Sequence, residues 1–249
     1  MSRPGATAGN GVQPAWPHPL KAIIFDVDGT LAETEELHRE AFNASFVEAG
    51  LDWHWSQDDY RALLRVTGGK ERIRHYLQTT RRPGARTPPG AGNDWVQDLH
   101  RRKTRRYVEL LRSGSIALRP GVRAWLDACR ERGLLLAIAT TTSPDNVDGL
   151  LRHTLGDDGP GRFACIAAGD MVAAKKPAPD VYHAVLDALQ LPPAACLAIE
   201  DSTAGLRSAR AAGIATLVTP SLYTQGQDFD GALAVVPTLD HVDLPMRPA

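Results

Sequence analysis

KAIIFDVDGTLAETEELH, residues 21–38, decides how the rest of the chain is read. Its apolar run, residues 22–25, is short and rich in strand formers, which suits a strand buried on both faces. The run stops at two acids, Asp26 and Asp28, separated only by Val27, and Gly29 then offers a turn. ELHREAFNASFVEAG follows with helical spacing, placing Leu37, Ala41, Ala44 and Val47 on one predicted face and Gly50 at the stop. Turn chemistry alone accounts for an Asp-Gly step, so the acids need company before they imply a reaction.

Outward from this stretch the chain divides by pattern. DDYRALLRVTG, KERIRHYLQTT and DWVQDLHRRKTRRYVELLRSG read as further helices, interrupted by RRPGARTPPGAGN, whose Pro and Gly mark an exposed loop. After Pro120 helices and strands alternate: VRAWLDACRERG, LLLAIAT, DNVDGLLRHTL, FACIAA, PDVYHAVLDALQL, CLAIE, AGLRSARAAG and IATLVT. Alternation of that kind implies βαβ units with right-handed crossovers, hence an α/β fold with a doubly wound, Rossmann-like parallel sheet. The expected organisation is a flexible tail over 1–19, an α/β core from 20–33 and 114–249, and an inserted α-helical cap over 34–113. Such an insert sits over the carboxyl ends of the strands, where open α/β sheets bind ligands.

Composition narrows the function. Hydrophobic residues make up 43% of the 249, charged residues 23%, and the formal net charge is −1, so a full core is available and no global field favours nucleic acid or an anionic membrane. No apolar run reaches the roughly 20 residues of a membrane helix. Cys129, Cys165 and Cys196 are odd in number and lie in apolar surroundings without CxxC spacing; they read as reduced thiols of a cytoplasmic protein. A monomer acting on a small molecule is expected.

In the sheet, residues just past each strand gather in one crevice: Asp26 and Asp28, then Thr140, Thr141, Thr142 and Ser143, then Glu200 and Asp201, with Lys176 from AAKKPAPD. Each alone has a bland reading as a turn, cap or surface charge. Converging carboxylates repel unless a cation lies among them, and hard oxygen donors suit Mg²⁺. Hydroxyl and amide donors with one lysine suit a phosphoryl group, and a carboxylate in line with phosphorus can attack it.

FDVDGTLAET, IATTTS, KKPAPD and IEDSTAG, in that order and with a helical insertion after the first, resemble the four motifs of the haloacid dehalogenase superfamily of phosphatases and phosphomutases. The resemblance spans residues 21 to about 220. It implies a phosphoric monoester hydrolase with Mg²⁺ as cofactor. By matched position Asp26 is the nucleophile and a metal ligand; Asp28 is the acid/base and lends its main-chain oxygen to the metal. Thr140 and Lys176 hold the transferring group, and Asp201 completes the metal shell. Glu200 either ligates or orients its neighbours.

Substrate choice belongs to the insert, because the core addresses only the reacting phosphate. Val96, Leu99, Tyr107 and Leu110 form an apolar stripe on which Lys103 also falls, so that lysine needs an anionic partner or a wet cleft. His100 precedes it by one turn, Arg101 and Arg102 lie between, and in TGGK the glycines Gly68 and Gly69 allow close backbone approach beside Lys70. A solvated basic helix face and a plain helix start are the bland readings. DVDGTLAETEELHREAFN, TGGKERI, HRRKT and IATTTSPDN are similar to CbbY-type members of the superfamily, which hydrolyse sugar bisphosphates, notably xylulose 1,5-bisphosphate. That similarity implies a cationic site for a distal phosphate and places Glu33 and His38 against the sugar. A β-phosphoglucomutase-like enzyme shares most of these features, and a catalytically silent binding protein on the same fold would need few of them.

Overall fold

A computed structural model describes residues 14–79, 92–114 and 116–244. The strand of the opening stretch, β1 (Ala22–Phe25), lies inside a six-stranded parallel sheet with order β3-β2-β1-β4-β5-β6. The others are β2 (Leu135–Ala139), β3 (Cys165–Ala167), β4 (Cys196–Glu200), β5 (Ala215–Val218) and β6 (Ala234–Val235). Every pairing is parallel, so helices must carry each crossover. The α/β doubly wound expectation holds. The last strand went unpredicted, since a two-residue Ala-Val pair carries no periodic signal.

Alternate residues of each strand face opposite layers. Ile23, Phe25, Ile138 and Ile199 pack with Trp125, Leu126, Val147 and Leu150 of α5 (Val122–Glu131) and α6 (Pro144–Leu155). The opposite face carries small residues, Ala22, Ala137, Ala139 and Ala198, against Val181, Tyr182 and Ala209 of α7 (Asp180–Leu189) and α8 (Thr203–Ala211). Both faces are therefore dry, as near-continuous apolar strands require. In register, Phe25 stands opposite Ile138 and Ile199, so Asp26 leaves the sheet beside Ala139 and Glu200. Connections run to opposite sides of β1 from this point, which makes the β1/β4 edge the topological switch where ligands collect.

Between β1 and α5 the described chain holds the helices α1 (Glu35–Glu48), α2 (Gln57–Leu63), α3 (Gly69–Thr79) and α4 (Asn93–Ser113). Their core is aromatic: Phe42, Phe46, Trp53, Trp55 and Tyr60 enclose Ile73, Val96 and Leu99. That cluster turns α1 away from the expected stripe. Its buried residues are His38, Ala41, Phe42, Ser45 and Phe46, while Val47 is 76% exposed, because two phenylalanines have more area to bury than Val47. On α4 the expected stripe is correct at Val96, Leu99, Lys103 and Tyr107. The second helix ends at Leu63, and Gly68 takes a left-handed φ of 89° before α3 starts.

Of the stretch read as a tail, residues 14–19 are described, and Trp16 packs edge-on against Trp125 with ring centroids 6.1 Å apart. Of the Pro/Gly loop, residues 81–91 lie outside the described residues, as does residue 80 before it. No helix among the described residues is long and apolar enough to cross a membrane.

Candidate active site

Asp26, 7% exposed, sits at the carboxyl end of β1. Lys176 Nζ donates to Asp26 Oδ1 at 2.7 Å, to Glu200 Oε1 at 2.7 Å and to the Ala139 carbonyl at 2.8 Å, so the lysine ties the ends of three strands together. Tyr182 Oη donates to the same Glu200 oxygen at 2.5 Å. Carboxylate oxygens of Asp26, Glu200 and Asp201 lie within 4.8 Å of one another, all three residues buried. Gly29, at φ 80°, lets its loop meet Asp201: a Cβ there would stand 2.2 Å from Asp201 Oδ2.

The electrostatics are unbalanced. Burial, reinforced by Glu200 and Asp28, pushes the Asp26 carboxyl up to about 7 against the pull of Lys176. Burial and the Asp26 charge raise Asp201 well above the carboxylate range. Lys176 moves upward although burial opposes its charge, because Asp26 and Glu200 flank it. One ammonium faces three buried carboxylates, and Glu200 Oε2 is buried without a hydrogen-bond partner. This donor set fits a hard divalent cation, which would supply the missing positive charge. Glu200, left outside the predicted metal set, belongs to the cluster.

Asp28 turns its side chain elsewhere. Its Oδ1 accepts from Thr34 Oγ1 at 2.5 Å and pairs with His38 Nε2 at 2.8 Å. His38 Nδ1 in turn contacts Lys103 Nζ. The Asp28 carboxylate only accepts, so His38 Nε2–H donates to it. His38 stacks on Tyr107, centroids 4.2 Å apart, and Lys103 lies 5.0 Å from the Tyr107 ring centroid and 5.1 Å from that of Phe42. Burial raises Asp28, but the charge and hydrogen bond of His38, with Thr34 and Lys103, bring it to about 2. Burial lowers Lys103 to about 7. The partner that Lys103 required is thus a histidine relay to Asp28.

A cavity of about 460 Å³ opens above these groups, a size that suits a small ligand. Asp26, Asp28, Lys176 and Asp201 line it from the core, with Thr141, Thr142 and Ser143 beside them. His38, Gly68, Gly69, His100 and Lys103 line it from the helical side. A Cβ on Gly69 would meet His100 Nε2 at 2.4 Å, and burial lowers His100 to about 3. Thr140 is buried at 2% exposure, its Oγ1 accepting from the Thr142 amide at 3.3 Å. Other predicted residues do not line this cavity. Lys70 pairs with Asp170 at a separate small cavity. Arg101 pairs with Asp98 at 3.2 Å in solvent, and Arg102 with Asp98 at 2.8 Å and Glu48 at 3.7 Å. Glu33 pairs with Arg119 at 3.1 Å.

The profile of haloacid dehalogenase-like hydrolases matches residues 20–213. A protein named CbbY from Rhodobacter capsulatus is 54% identical over 220 residues, covering 88% of this chain and 94% of that one. Another, from Cupriavidus necator, is 51% identical over 227 residues, covering 91% and 89%. The chain belongs to the CbbY group of haloacid dehalogenase-like hydrolases. Among solved structures it is similar to CbbY from Rhodobacter sphaeroides in complex with phosphate, with 45% identity, a TM-score of 0.83, and coverage of 90% of this chain and 100% of that one. A mutant of the same protein in complex with xylulose 1,5-bisphosphate gives a TM-score of 0.82 at the same identity and coverage.

Within this family framework several cavity residues escaped the sequence reading. Glu35 lines the cavity and accepts from Tyr60 Oη at 2.9 Å; the wall acid is thus two residues past the predicted Glu33. Arg65 and Arg207, both exposed, also line it and have no ion pair among the described residues. Arg65 lies in the turn after α2 and Arg207 in α8, positions where an arginine reads as a solvated charge, so only the packing of the helical region on the core reveals them. Thr67 Oγ1 bonds the Lys176 carbonyl and Arg61 donates to the Tyr223 carbonyl at 3.4 Å, joining the two regions.

Proposed function

We propose that this chain is a Mg²⁺-dependent phosphatase of the cytoplasm that hydrolyses a sugar bisphosphate, xylulose 1,5-bisphosphate first, with residues 34–113 acting as cap over a core of 20–33 and 114–249. The observation that carries the reading is one cavity lined by Asp26, Lys176 and Asp201 and by the exposed Arg65 and Arg207, which have no ion pair among the described residues. The CbbY structure with xylulose 1,5-bisphosphate supports the same substrate.

Mg²⁺ would be held by Asp26, Asp201 and the Asp28 main-chain oxygen, with Glu200 beside them; it would neutralise phosphoryl charge when bound. An Asp26 oxygen attacks phosphorus while the bond from phosphorus to the sugar oxygen breaks, giving an aspartyl phosphate. Lys176 and the Thr140–Ser143 loop hold the transferring oxygens. Asp28 gives its proton to the departing sugar oxygen, then takes one from the water that attacks phosphorus and frees Asp26. Asp28 is ionised in the free site, and the negative charge of an entering bisphosphate favours the protonated form it needs. Glu35 and His38 face the sugar. The protein works as a monomer on a small phosphorylated sugar, without nucleic acid.

The test is phosphate release from sugar mono- and bisphosphates with Mg²⁺, followed by product analysis. Asp26→Asn is expected to lower turnover by at least about 10⁴-fold while the circular dichroism spectrum stays unchanged. Near-normal turnover in that variant, or an isomerised sugar phosphate as the main product, would overturn the reading.

A further inference from the structure

The chain leaves the core beyond Gly29 and returns near Leu118, and the two passages touch: Ala32 bridges Leu118, and the Arg119 amide donates to the Leu31 carbonyl at 2.8 Å. Arg119, 8% exposed, then turns its guanidinium into the core. Nη1 donates to the carbonyls of Gly29 and Thr219, the latter at 2.7 Å, and to Thr219 Oγ1 at 3.2 Å. Nη2 donates to the carbonyls of Pro220 at 2.8 Å and Pro237 at 3.2 Å. Nε pairs with Glu33, the one charged partner. One planar cation therefore collects carbonyls from the loops after β1, β5 and β6.

One of those loops carries part of the candidate metal site, and another packs on Glu200 and Asp201 at the end of β4, which carry the rest. The first holds Asp26, Asp28 and Gly29. The second runs from Thr219, whose amide donates to the Glu200 carbonyl at 2.8 Å, to Thr224, whose hydroxyl donates to Asp201 Oδ2 at 3.3 Å. They meet tightly, since a Cβ on Gly29 would touch Ser221 Cβ at 2.8 Å as well as Asp201. Four carbonyl oxygens aimed at a common point repel one another without a cation there, and Arg119 supplies it. We infer that Arg119 is a positioning residue: by clamping the Gly29 loop to the Thr219–Thr224 loop it sets the gap between the two halves of the metal site, and hence the affinity for Mg²⁺. Glu33 also accepts from the Leu222 amide at 3.3 Å, a bond that Glu33→Gln keeps because a side-chain amide oxygen still accepts. The inference rests on the Mg²⁺ reading proposed above.

Arg119→Lys keeps the charge but loses the planar fork that spans several carbonyls. Calorimetric titration of the full chain with Mg²⁺ is expected to show the dissociation constant rising at least tenfold in Arg119→Lys and staying within twofold of the parent in Glu33→Gln. Turnover of Arg119→Lys should recover as Mg²⁺ is raised to saturation, with the substrate KM unchanged, which a merely destabilised protein would not do. A change below threefold in Arg119→Lys, or an equal loss in Glu33→Gln, overturns the inference while leaving the metal reading intact. Absence of Mg²⁺ binding to the parent chain overturns both. Hydrogen exchange on the parent chain needs no variant: Mg²⁺ should protect Val27–Gly29 and Thr219–Thr224 together, and protection of one alone counts against the clamp.

Discussion

Raising the pH of the metal-free protein from 5 to 8 should destabilise it, and Mg²⁺ should cancel the effect. The buried Asp26 carboxyl is pushed up from 3.8 to about 7. In the unfolded chain the same group releases its proton near 3.8, so between those values the folded state binds more protons. Stability must then fall as pH rises through that window and level off above about 7. At about 1.4 kcal/mol per pH unit, the full window is worth roughly 4 kcal/mol, of which pH 5 to 8 samples the upper two thirds, about 3 kcal/mol. Asp201, raised in the same direction, adds to it, while His100 and Lys103, which burial lowers to about 3 and about 7, gain stability with rising pH below 6.5 and above 7 respectively and offset part of it. For a chain of this size the Asp26 contribution by itself corresponds to a melting temperature about 6–12 °C lower at pH 8. Differential scanning calorimetry in a chelator, repeated with saturating Mg²⁺, measures it. The control is Asp26→Asn, which removes the titrating group and should flatten the metal-free slope while raising stability at pH 8. A chelated parent protein with no loss between pH 5 and 8, or an Asp26→Asn variant with the parent's slope, would refute the claim that burial of these acids leaves room for a cation.

Arg65→Ala and Arg207→Ala should each lower kcat/KM for a sugar bisphosphate by about 10- to 100-fold, the loss of one charge-assisted phosphate contact, and change a monophosphate by less than about threefold. Steady-state kinetics on both substrates decides, and equal losses would make the arginines structural. Trp16→Ala should cost about 1–3 kcal/mol in urea unfolding, because the indole is only partly covered where it meets Trp125. No change would mean that residues 14–19 behave as free tail.

Legibility followed the range of each interaction. The core was readable because Ala22–Phe25, Leu135–Ala139 and Cys196–Glu200 are apolar runs that stop at polar residues, and the parallel sheet alone brings those stops together. Lys103 was readable for the same local reason, a charge on an apolar stripe, yet its partner His38 lies 65 positions away and no spacing could name it. The helical wall failed where rotation decides. On α1 the aromatic cluster moved the buried face from Val47 to Phe42 and Phe46; the cavity wall takes Glu35, not Glu33. Arg119 was invisible for a different reason. Its partners are main-chain carbonyls from three separate loops, which leave no side-chain signature in any sequence. A motif lists the groups that touch the substrate, whereas the spacing between motifs is held by backbone contacts of this kind. The acids of FDVDGT are thus legible as chemistry once the later motifs stand beside 21–38, but their distance from Asp201 is a property of the loops after β1 and β5 and the guanidinium between them.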